Sequence, residues 1–174
     1  MTLDELLGLV LDGRGRHDGE EEVDDLAHAL QTAALALADA APADMVAAAL
    51  LHDVGHHPAL AHRGPHEEVA DQLIAPLLGP RAAFAVRHHV AAKRHLVATE
   101  RGYPLSAASA ESLDRQGGPA VLPELLAGHG PWALALRRWD DRAKVTGAPE
   151  PDWEHLVGVV AAASDQYERG ELRD

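Results

Sequence analysis

From Asp44 to Val54 the chain is an almost wholly apolar run that ends in His52-Asp53-Val54. A helix with no polar face must be buried on most sides, so other elements have to surround this one. Two strong ligand side chains at the end of a buried helix are hard to explain by packing alone, because a buried aspartate needs a partner or a metal. The competing reading is a helix-end pair making ordinary hydrogen bonds.

The rest of the chain repeats the helical pattern. Thr2 to Asp12 reads as a short amphipathic helix stopped at Gly13-Arg14-Gly15. Glu20 to Ala40 carries acids in its first turn, with Val23, Leu26, Leu30, Ala34 and Leu37 at helical spacing. His56 to Pro65 is expected to be an ordered loop, with helix resuming at His66. Leu78-Gly79-Pro80 separates that helix from one over Arg81 to Thr99. Ser106 to Asp114, Leu122 to Leu126, Trp132 to Lys144 and Asp152 to Glu168 continue the pattern. Strand-like alternation, internal repeats and linkers are absent, so the expected fold is an all-α helical bundle in a single domain spanning 1–174, with its metal-binding core at about 20–145.

Composition narrows the function. Hydrophobic residues are 47% of the chain but aromatics only 3%, which suits aliphatic helix packing. The absence of cysteine removes disulfides, zinc ribbons and thiol nucleophiles. A net charge of -13 argues against nucleic acid as a partner, while a small anionic ligand remains compatible because local charges and metal ions set the field in a pocket. Neither a basic leader nor an apolar stretch of spanning length is present, so no membrane partner and a cytoplasmic location are expected. Apolar helices of this kind serve a core or a dimer face equally, leaving the oligomeric state open.

His28 lies within an apolar face of the helix before Asp44 and could reach the end of the buried helix, and Asp140 supplies a late carboxylate. His28, the stretch ALLHDVGH containing His52 and Asp53, and Asp140 together resemble the HD-domain metalloproteins, most of which are phosphohydrolases. That resemblance implies an HD-domain helical bundle. Imidazole and carboxylate ligands suit divalent first-row metals, and Asp53 can bridge two ions through its two oxygens. Two further histidines, His66 and His89, fall where binuclear HD proteins carry extra ligands; His62 and His88 are their respective rivals.

Ligands alone leave hydrolysis and oxygen chemistry both open. The stretch from His89 to Arg94, the segment Leu105 to Ser109 with Gln116 to Pro119, and Arg137 to Asp140 followed by Lys144 resemble one subgroup, the mixed-valent di-iron oxygenases of 1-hydroxyphosphonates. The likeness runs from about Glu21 to Lys144. It implies two iron ions as an Fe(II)/Fe(III) pair, dioxygen as co-substrate and release of phosphate from a small anionic phosphonate such as 2-amino-1-hydroxyethylphosphonate or its N-trimethyl analogue. A metal-dependent phosphohydrolase acting on a nucleotide or small phosphomonoester is the alternative.

A dianionic phosphonate needs local cations and donors. Lys93, one turn beyond His89, and Arg137, one turn before Asp140, would face the same cavity as the ligands. Ser109 and Gln116 supply neutral hydrogen bonds, and His56 would donate to a substrate oxygen or orient a ligand. Snorkelling for Lys93, a surface ion pair for Arg137 and turn capping for Ser109 and Gln116 are the bland readings. The family's substrate-responsive glutamate falls at Glu21, with Glu20 and Glu22 as register alternatives, and its tyrosine position falls near Asp18, where no tyrosine is present.

Overall fold

In the computed structural model, which describes residues 1–17 and 22–172, the apolar run is the hub of the molecule. Among the described residues eight α-helices follow one another: α1 (Leu3–Leu11), α2 (Asp25–Ala38), α3 (Ala43–Leu51), α4 (His66–Leu78), α5 (Pro80–Thr99), α6 (Ala107–Arg115), α7 (Gly130–Arg142) and α8 (Trp153–Glu168). Among the described residues there is no strand, as the helical periodicity led us to expect. Met45 to Leu51 are all buried, and α2, α5 and α8 pack around α3 with help from α4 and α7. Asp44 is also buried, where both of its oxygens accept from Arg81 at 2.7 Å, so the charge at the head of the apolar helix is matched.

Local chemistry sets the ends of the helices. Thr2 and Glu5 form a reciprocal capping box at α1, and Asp24, Ser106 and Asp152 each accept a backbone N–H at the starts of α2, α6 and α8. The cap corrects one expectation: α2 begins at Asp25, not near Glu20, because Asp24 takes the Ala27 N–H at 2.7 Å. Gly79, at φ 83°, carries the chain from α4 into α5, with Pro80 at the first helical position of α5.

Two further boundaries differ from the sequence reading. The α3 helix stops at Leu51, and Asp53 (φ -100°, ψ 7°) leaves helical geometry, opening a short 3-10 turn at Val54–His56. Within the His56 to Pro65 loop a second 3-10 turn forms at Ala61–Arg63, and Leu122 to Leu126 is a 3-10 turn over Pro123–Leu126 where an α-helix was expected. No helix among the described residues is long and apolar enough to cross a membrane.

Candidate metal centre

The break after α3 places both residues of the His-Asp pair on one point. Neighbouring side chains on an unbroken helix diverge by about 100°. Where the chain leaves α3, Asp53 sets its Oδ2 3.2 Å from His52 Nε2. From α2, His28 brings its Nε2 to 3.5 Å from the same oxygen and 3.4 Å from Asp140 Oδ1 on α7. The other carboxylate oxygen, Asp53 Oδ1, faces His66 Nε2 at the start of α4 and His89 Nε2 on α5, each at 3.6 Å. Asp53 is thus shared between two groups able to hold a metal ion, His28-His52-Asp53 and Asp53-His66-His89, with Asp140 beside the first.

Each histidine is oriented by its other nitrogen. Nδ1 of His28 donates to the Ala143 carbonyl at 3.0 Å, that of His52 to Ala49 at 2.9 Å and that of His89 to Val86 at 2.7 Å, while His66 Nδ1 lies 3.2 Å from Glu67 Oε2. With Nδ1 so committed, the Nε2 lone pairs converge on the carboxylates, the arrangement a metal requires. The donor set passes a physical test of fit: His52 Nε2 is fully buried and finds no hydrogen-bond partner. Such an orphan is costly unless a cation takes its lone pair.

Electrostatics divide the centre in the same way. Burial opposes charge on His28, but the hydrogen bonds that the protonated ring donates to Asp140 and Asp53 outweigh it and push its pKa up to about 10. Burial pushes His89 down to about 4 against the pull of Asp53, and burial with His56 nearby holds His66 well below the ordinary range. The group around Asp140 therefore attracts positive charge, and the group around His66 offers neutral imidazoles.

The rival histidines sit elsewhere. His62 lies on the exposed Ala61–Arg63 turn, and His88 turns its Nδ1 to the Phe84 carbonyl and stacks on the Phe84 ring at 3.9 Å. His56 stacks on His66 at 3.8 Å, with its Nε2 4.0 Å from Asp53 Oδ1, a position that braces the ligand ring.

A polar cavity of about 210 Å³ opens onto Asp53, His66, His89 and Asp140. Lys93, Ser109, Gln116 and Arg137 line the same cavity, so the residues expected to meet an anion share it with the ligand candidates. Lys93 is 2% exposed and donates to Ser112 Oγ at 2.7 Å; burial, and then the nearby Arg137, push its pKa down to about 8. Gln116 Oε1 is buried without a partner. Arg137 is more engaged than the sequence suggests: it pairs with Asp140 Oδ2 at 2.8 Å, grips both oxygens of Asp141 and donates to Ser109 Oγ at 3.2 Å. Glu21, with Asp18 and Glu20, lies outside the described residues.

Several neighbours were given no role from the sequence, Lys144 among them although it belongs to the motif noted above. Lys144 donates to Ser109 and Ser106 at 3.0 and 3.3 Å and lines the cavity, as does Ser112. Asp141, which neutralises Arg137, accepts from Tyr103 at 2.8 Å. The i, i+4 spacing of Arg137 and Asp141 was a readable signal; the long-range contact of Tyr103 was not.

Fold and site together define a helical domain with a His-Asp cluster able to hold metal ions. No family model matches the chain. Comparison with characterised proteins finds hydroxymethylphosphonate dioxygenase of Gimesia maris, 37% identical over 158 residues, covering 82% of this chain and 79% of that protein. It also finds the glycine-betaine-forming [1-hydroxy-2-(trimethylamino)ethyl]phosphonate dioxygenase of Leisingera caerulea, 31% identical over 178 residues and covering 94% and 91% of the two chains. The chain belongs to this family of HD-domain phosphonate dioxygenases.

Proposed function

We propose that the protein, acting as a single cytoplasmic domain, cleaves the carbon–phosphorus bond of a small 1-hydroxyphosphonate with dioxygen and releases phosphate. The observation that supports this reading is the two-sided Asp53 next to a cation-lined polar cavity, an arrangement that would suit two bridged ions with a phosphonate beside them. Names of the relatives point to the same chemistry.

His28, His52, Asp53 and Asp140 would hold one ion, and Asp53, His66 and His89 the other. Two iron ions in the Fe(II)/Fe(III) state would supply the redox chemistry toward dioxygen. The chain's own residues do the rest. Lys93 and Lys144 offset the phosphonate charge, Ser109 and Gln116 provide neutral hydrogen bonds, and Arg137 holds Asp140 in place while presenting its edge to the cavity. His56 keeps His66 in register. Overall the carbinol carbon is oxidised to a carboxylic acid, the phosphorus departs as phosphate, and dioxygen is reduced.

Metal analysis of anaerobically and aerobically purified protein, with a phosphate-release assay on hydroxyphosphonates, tests this. Iron at two per chain and release that stops when oxygen is removed are expected. Release that persists without oxygen, or with magnesium or manganese in place of iron, would overturn the oxygenase reading.

A further inference from the structure

The two relatives differ at the end of the substrate away from phosphorus, and the rings of this chain bear on that difference. Two cavities flank the candidate metal centre. The larger is lined by four cationic side chains, Lys93, Arg115, Arg137 and Lys144, which suit an anion and repel an ammonium group. The smaller, about 70 Å³ on the α1 side of His28 and Asp53, has aliphatic walls at Leu9, Val10, Val23 and Val54. Among the described residues its one carboxylate apart from Asp53, that of Asp25, lies 3.5 Å from Arg16 Nε.

Among the described residues neither cavity is lined by a phenylalanine, tyrosine or tryptophan side chain; the rings at their walls are the imidazoles of His28, His56, His57, His66 and His89, and each of the six phenylalanine, tyrosine and tryptophan rings is engaged elsewhere. Phe84 stacks on His88, Tyr103 bonds to Asp141, and Trp132 lies under Arg81. Trp139 donates to Asp39, Trp153 packs on the core, and Tyr167 covers Gly79. The sequence holds no aromatic residue outside the described ones. A quaternary ammonium cannot donate a hydrogen bond and is held chiefly by aromatic faces.

We infer that this enzyme selects hydroxyphosphonates whose far end carries no quaternary ammonium. The inference rests on the proposed oxidative cleavage and deepens it by naming the substrate class. The test is the ratio of kcat/KM for hydroxymethylphosphonate and for 1-hydroxy-2-(trimethylamino)ethylphosphonate, measured on the iron-loaded full chain at fixed oxygen. A preference of at least about tenfold for the first is expected, the discrimination that loss of an aromatic cage gives. Equal or greater use of the trimethylammonium compound overturns the inference and leaves the oxidative reading standing. Failure to consume oxygen with either compound removes the oxidative reading, and this inference with it.

Discussion

The Nε2 atoms of His66 and His89 point at each other 3.1 Å apart, while His89 Nδ1 donates to the Val86 carbonyl and His66 Nδ1 faces the Glu67 carboxylate. Two lone pairs at that distance repel unless a cation lies against both, and Asp53 Oδ1 at 3.6 Å from each supplies the anionic third ligand. The expected outcome is a split in metal stoichiometry. His66→Ala and His89→Ala should each keep one ion, held by His28, His52, Asp53 and Asp140, whereas Asp53→Ala should lose both. Metal content per folded chain after gel filtration measures this, and a D53A protein that retains one equivalent would contradict the bridging role.

Lys93 gives a pH dependence with a defined sign. Its ammonium is depressed to about 8, so the positive charge is present below that pH and is lost as pH rises through it. The KM for phosphonate should therefore climb above about pH 8, with kcat changing less. Lys93→Ala should raise KM by roughly 10- to 100-fold, the range for a hydrogen bond to a charged group. Lys93→Arg, which stays protonated throughout, should abolish the alkaline rise. A wild-type KM that stays flat across this range would show that Lys93 does not meet the phosphonate.

Arg137 sits among buried acids, and its removal should cost stability before it costs chemistry. Its guanidinium is the counter-charge of Asp140 and Asp141, and the three side chains are almost wholly buried. Arg137→Met leaves buried carboxylates unpaired, which is expected to lower unfolding free energy by about 3–5 kcal/mol. Denaturant unfolding of chelator-treated and metal-loaded protein should show the larger loss in the chelated form, because bound metal takes over part of the charge on Asp140. Equal losses would mean that Arg137 does not support that ligand.

The helical architecture was legible because apolar spacing over α2, α5 and α8 is strong and α3 is apolar all round. The six metal-ligand candidates came from motif position: His28, His52-Asp53 and Asp140 follow the HD pattern and His66 and His89 its binuclear variant, and the structure gathers these side chains around Asp53 and Asp140. Boundaries were read less well, since Asp24 and the acids before it are all plausible caps and only the hydrogen bond to Ala27 decides between them. Contacts between distant segments, such as Tyr103 with Asp141 or Lys144 with Ser106, depend on how α6 and α7 meet and leave no local pattern.

Gly55 shows how a boundary feature serves the site. Its Cα is pressed against the backbone of His66, and a Cβ there would lie 2.8 Å from His66 Cα and nearer still to its carbonyl oxygen. Only glycine lets the first turn of α4 approach the end of α3 closely enough for His66 to reach Asp53. Gly55→Ala should displace His66 and weaken the ion shared by Asp53, His66 and His89, while the ion at His28, His52 and Asp140 stays. Titration of the metal-free variant with a divalent ion should then give one tight site where the wild type gives two. Two unchanged sites in G55A would show that α4 relaxes without moving its ligand.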